Sequence, residues 1–228
     1  MSLAQFGRVL VVAPHPDDEI LGCGGTIARL ARAGHEVEVC LVTRGQPPAF
    51  APEAVEQVSR EMARAHAHVG VRACHRLDLP AAGLEMVPAA ELNAALGKVV
   101  SQVQPDTLML PFLGDIHRDH QLAFLGAMVA ARPRDNCAPS RILCYETLSE
   151  TNWYAPPVTP AFVPNMFIDI SQTLETKLEA FAMFASQVKS FPDERSPRTI
   201  ECLARLRGSC VHLEAAEAFM MIREIVRA

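Results

Sequence analysis

Residues 9–19 read Val9-Leu10-Val11-Val12-Ala13-Pro14-His15-Pro16-Asp17-Asp18-Glu19, and the fold turns on how this stretch is read. The apolar, mostly β-branched run predicts a first strand over Arg8–Val12, buried on both faces. A proline-stiffened turn then carries one imidazole and three carboxylates. Carboxylates are rarely buried without a partner. Such a cluster at the carboxyl end of a buried strand points to a cation and to hydrolytic chemistry.

Outward from this stretch, strand and helix patterns alternate. Gly24-Gly25-Thr26 is expected to open a helix that runs to about Ala33 and stops at Gly34. Glu36–Val42 reads as a second strand and Cys74–Leu77 as a weak one. Between them a helix starts at Pro52, with Val55, Val58, Met62, Ala65 and Val69 forming one apolar stripe. A helix from Pro88 leads to the strand Thr107–Leu110. Another helix runs to about Ala131. Ile142–Tyr145 and Met166–Ile170 are further strands, and 174–188 is helical. Residues 155–164 carry four prolines, including Pro156, and read as an ordered loop with lid character. The stretch 217–226 fits helix and strand equally.

This alternation predicts an α/β fold: a doubly wound, mostly parallel twisted sheet with helices on both faces. The chain is expected to form one domain over 1–228. Its core spans about 1–145, and 146–228 complete the sheet and the pocket. Ligands of such sheets bind beyond the strand carboxyl ends, where strand order reverses. The loops after Val12 and after Leu110 would then share one rim.

Composition narrows the function. The 228 residues are 50% hydrophobic and 21% charged, with a net charge of −5 and a pI near 5.9. Scattered basic residues argue against a nucleic-acid partner. The apolar runs are too short for a membrane span. The seven cysteines, Cys23, Cys40, Cys74, Cys137, Cys144, Cys202 and Cys210, contain no C-x-x-C pair. They read as reduced, buried thiols of a cytoplasmic protein rather than as zinc ligands. The apolar content permits a homo-oligomer. No G-x-S-x-G nucleophile motif is present.

The first loop offers His15, Asp17, Asp18 and Glu19. The second, Asp115-Ile116-His117-Arg118-Asp119-His120, offers two acids and two histidines. A hydrolytic zinc site takes three His or carboxylate ligands and leaves a position for water. An unligated carboxylate can then serve as base, and a histidine as acid or oxyanion stabiliser. Helix capping is the plainer use of Asp119. Arg44, Tyr145, Glu146 and Trp153 are candidates for substrate contact. Gly22-Cys23-Gly24-Gly25 fits either a phosphate cradle or close backbone packing, and packing is preferred. His66 and His68 lie two apart on a helix and face different ways.

Pro14-His15-Pro16-Asp17-Asp18-Glu19, the glycine run and His117-Arg118-Asp119-His120 together resemble the PIG-L or LmbE-like deacetylases. Tyr145-Glu146-Thr147, Pro164-Asn165 and Ala216-Glu217-Ala218-Phe219 extend the likeness over most of the chain. The resemblance implies a Rossmann-like three-layer sandwich and a zinc-dependent N-deacetylase acting on a small acetylated amino sugar. It makes His15, Asp18 and His120 the metal ligands and Asp17 the general base. His117 becomes the acid or oxyanion stabiliser, and Asp119 orients a histidine. Spacing alone does not choose between Asp17 and Asp18. Family members often carry Ala at the place of Pro14 and Glu at the place of Gln46. Some have His-Pro-Arg-Ser where this chain has Asp193-Glu194-Arg195-Ser196. Iron, cobalt or manganese also suit His and Asp ligands. Alternatives are a zinc amidohydrolase for another acylated metabolite, or a sugar-nucleotide-binding Rossmann protein.

Overall fold

A computed structural model describes residues 3–134, 138–155 and 157–226. Cys137 and Pro156 lie outside the described residues. The strands are β1 (Val9–Ala13), β2 (Val37–Arg44), β3 (Ala73–Pro80), β4 (Thr107–Pro111), β5 (Arg141–Tyr145), β6 (Met166–Asp169) and β7 (Ala216–Glu224). The helices are α1 (Asp18–Arg32), α2 (Pro52–Val69), α3 (Ala89–Val103), α4 (Arg118–Ala130), α5 (Leu174–Ala182) and α6 (Pro197–Ser209).

All seven strands join one sheet in the order β3-β2-β1-β4-β5-β7-β6. The first five run parallel, and β7 is antiparallel to both of its neighbours. This is the expected doubly wound α/β arrangement. Side chains of a strand alternate between faces, and in β1 both faces are covered. Val9, Val11 and Ala13 pack with α1, α2 and α5, while Leu10 and Val12 pack with α3 and α4. An uninterrupted apolar run therefore fills two cores at once.

Several boundaries differ from the sequence reading. Helix α1 starts at Asp18, ahead of the glycine run rather than within it. A Cβ on Gly22 would fall inside the Tyr145 ring, and one on Gly25 would sit 2.8 Å from Ile170 Cδ1. The glycines therefore act through close packing, which overrides their low helix propensity. The helix expected over 174–188 ends at Ala182, after which turns carry the chain back toward β1. Helix α6, capped by the Ser196 hydroxyl accepting from Thr199 N–H, was absent from the sequence reading. The ambiguous C-terminal stretch is the strand β7. Cys23, Cys40 and Cys144 are buried thiols, but Cys202 and Cys210 are exposed on and after α6. No described helix is long and apolar enough to cross a membrane.

Tyr145 is fully buried, its hydroxyl donating to Val12 O at 2.8 Å. Gly22→Ala should displace this ring and cost about 1–3 kcal/mol, the usual penalty for overpacking. A urea midpoint equal to that of the parent would remove this account of the glycine run.

Candidate metal centre

β1 and β4 are parallel neighbours, with Val9 opposite Thr107 and Val11 opposite Met109. Strand order reverses between them, so the two polar loops leave the sheet side by side. Pro14 O accepts from both the N–H and the hydroxyl of Thr43, which fastens the first loop to β2. Asp17 then turns the chain into α1 with φ 113°, a conformation that a side chain makes costly. Asp18 and Glu19 occupy the first turn of α1, and Asp119 and His120 that of α4. Both helix N-termini favour negative charge at this point.

One ligand atom from each of His15, Asp18 and His120 lies within 4.8 Å of the others. Asp18 Oδ2 sits 3.2 Å from His15 Nδ1 and 3.1 Å from His120 Nε2. The His120 contact lacks hydrogen-bond geometry, and Asp18 Oδ1 and His120 Nε2 are buried without any hydrogen-bond partner. Each histidine is braced on its far side. His15 Nε2 meets Asp119 Oδ2 at 3.0 Å, and His120 Nδ1 meets Asp115 Oδ2 at 2.8 Å. Carboxylate-backed imidazoles around unpartnered buried atoms fit a divalent cation. His15, His117 and Asp119 form a second close group. There the Asp119 oxygens already accept from Ala82 N and Leu84 N, so the first group is the better metal holder.

Asp17 stands beside this group without joining it. Arg195 Nη1 donates to Asp17 Oδ2 at 2.8 Å. Burial pushes the Asp17 carboxyl up to about 8, against the pull of the Arg195 guanidinium. Glu19 accepts from Asp17 N–H and pairs with the buried His66. His68 pairs instead with the surface residue Glu179, so the two histidines do face apart. His117 caps α4, its Nδ1 accepting from Asp119 N–H at 3.1 Å. That bond leaves the proton of a neutral His117 on Nε2. Burial, then the neighbouring His15, hold His117 below the usual imidazole range.

A cavity of about 340 Å³ opens from His15, Asp17 and His117. Arg44, Glu150, Gln187 and Arg195 also line it. Of the four proposed substrate contacts, only Arg44 reaches this cavity. Tyr145 is enclosed in the core against Gly22. Glu146 is turned away into a two-pronged ion pair with Arg207. Trp153 is 57% exposed and lies outside the cavity lining. Gln46 spends its side-chain amide on Asp78 O. The glycine run offers no phosphate cradle, because Gly25 N–H and Thr26 N–H both donate to Glu217 inside α1.

Sequence reasoning did not anticipate Arg195, Glu150 or the brace from Asp115. Asp115 was visible as an acid in the second loop but had no assigned partner. Nothing local marks Arg195, whose contact with Asp17 spans 178 positions.

The family model for PIG-L, described as GlcNAc-PI de-N-acetylase, matches residues 10–131, more than half of the chain. A diacetylchitobiose deacetylase from Thermococcus kodakarensis is 30% identical over 203 residues, covering 82% of this chain and 71% of that protein. Among solved structures, the conserved protein TT1542 of Thermus thermophilus superposes with a TM-score of 0.78 at 25% identity, over 97% of both chains. A 4-carboxy-2-hydroxymuconate hydratase from Pseudomonas putida also reaches 0.78, at 20% identity over 97% of this chain and 98% of its own. That likeness is one of fold, and it shows that the fold alone does not name the reaction. The matched region holds both polar loops and the whole His15–Asp18–His120 group, and the chain belongs to the PIG-L family.

Proposed function

We propose that this protein is a metal-dependent N-deacetylase that hydrolyses the acetamide of a small acetylated amino sugar. One observation carries the reading. A buried His-Asp-His group with unpartnered ligand atoms opens on a cavity beside a separate carboxyl, Asp17, whose affinity for protons burial has raised.

His15, Asp18 and His120 would hold the ion, with zinc favoured by this ligand set. Bound there, a divalent ion supplies Lewis acidity that acidifies water and polarises an amide oxygen. Asp17 takes the proton of the attacking water, and its raised proton affinity suits a base working near neutral pH. Arg195 holds that carboxyl in place. His117 lines the cavity, and with Nδ1 taken by Asp119 N–H its Nε2–H is the group that donates to the oxyanion of the tetrahedral intermediate. Collapse of the intermediate breaks the C–N bond, and the amine leaves with the proton that Asp17 took from the water. Asp119 orients His15 and Asp115 orients His120. The unpaired thiols among the described residues fit a reducing, cytoplasmic setting.

Asp17→Asn should retain metal and lose about 10²- to 10⁴-fold in turnover, the range for removing a general base. Acetate release from N-acetylglucosamine derivatives, with metal content measured in parallel, tests this. Near-parent turnover would reject Asp17 as the base. His15→Ala should instead purify without its metal, and full metal content by elemental analysis would reject the ligand set.

Asp115→Asn tests the brace separately. Loss of a carboxylate behind a ligating histidine typically costs 10- to 100-fold in metal affinity. Competition with a chromogenic chelator should show a shift of about that size. An unaltered competition curve would mean that Asp115 serves only the Thr151 contact.

A further inference from the structure

The apolar stripe of α2 divides in two. Met62, Ala65 and Val69 are buried in the core, but Val55 and Val58 are half-buried and line the cavity that opens from His15 and Asp17. A helix usually turns polar where its core contact ends. Here the stripe continues into the site. Phe50 completes the wall. A Cβ on Gly45 would lie 2.8 Å from Phe50 Cγ and 3.0 Å from Val55 Cγ2, so both side chains close directly onto bare backbone. Phe50 N–H donates to Gln46 O, and the Gln46 amide to Asp78 O, so the loop that carries the ring is tied down. Phe50 as a residue remains 37% exposed.

A bare hexosamine presents hydroxyls on every side, and a buried hydroxyl needs a partner. This wall offers none. Of the hydroxyls that also line the cavity, Thr43 donates to Pro14 O and Ser59 accepts from Arg76 Nη1. Besides Arg195, which is bound to Asp17, two arginines line the same cavity. Arg76 is bound to Ser59 and lies 3.7 Å from Asp78, whereas Arg44 has no ion-pair partner among the described residues.

We propose that Phe50, Val55 and Val58 form a subsite for a ring-sized apolar aglycone attached to the amino sugar, with an anionic substituent on that aglycone pairing with Arg44. The inference rests on the deacetylase reading and narrows its substrate class: an amphipathic glycoside rather than a free sugar.

Binding of the amine products tests the subsite without turnover. Glucosamine, phenyl β-glucosaminide and 4-carboxyphenyl β-glucosaminide would be titrated calorimetrically into the protein, both chelator-treated and zinc-loaded. Burying an aryl ring should tighten binding at least about tenfold over glucosamine. The carboxylate should add roughly threefold to tenfold more, a gain that Arg44→Ala removes. Val58→Asp should reduce the phenyl advantage to below about threefold, and the near-isosteric Val58→Thr should lower it in the same direction. Equal affinity for glucosamine and its phenyl glycoside in the parent protein overturns the subsite. Acetate release from the N-acetyl counterparts reports separately on the reaction. Release without a phenyl preference sinks the subsite alone. A phenyl preference without release upholds the subsite and sinks deacetylation.

Discussion

Five carboxylates, Asp17, Asp18, Glu19, Asp115 and Asp119, are buried at the carboxyl ends of β1 and β4. A buried charge left without a partner is strongly destabilising, so each must find one. Much of the surrounding structure meets that demand. Asp119 draws in the backbone at Ala82 and Leu84. Asp115 engages Thr151 as well as His120. Glu19 ties α2 to α1 through His66. Asp17 reaches Arg195, which is itself held by Ser149 and Gln187. Asp18 keeps a fully buried oxygen, Oδ1, without a hydrogen-bond partner, beside the equally unpartnered His120 Nε2.

The parts of this arrangement written locally were legible in the sequence. Val9–Val12 is apolar at every position because a central parallel strand is covered twice, and a two-sided strand followed by acids leaves few readings. The two polar loops could be placed on one rim because strand order in doubly wound sheets constrains where ligands bind. The glycine run was harder. Its packing role is the reading the sequence favours, but its place inside α1 is not, because glycine normally signals a helix boundary. The reason for the glycines lies in Tyr145 and Ile170, far along the chain.

Long-range contacts explain the remaining differences. Tyr145 and Glu146 end a strand beside the site, and position alone made them candidates. The Tyr145 hydroxyl is taken by Val12 O, and Glu146 by Arg207 on α6, a helix whose polar, Arg-rich sequence hides it from pattern reading. Residues 183–188 read as the end of a helix and 189–196 carry no periodic signal, yet the whole stretch runs as turns and loop. Their course is set by what they touch: Ser186 on the buried Glu61, and Arg195 on Asp17.

The distance along the chain between Asp17 and Arg195 has a temporal meaning. Synthesis delivers the N-terminal part first, and domains gather as their segments emerge. Under the proposed ligand set, His15, Asp18 and His120 are all available well before Arg195 has been made. Glu217, which grips α1 at Gly25 and Thr26, arrives later still. Under the proposed roles, a nascent chain would thus carry all three ligands while the carboxyl proposed as base still lacks the arginine that holds it. On that reading, metal loading and catalytic competence would be separate events in the life of the molecule, and the C-terminal third would be the part that joins them.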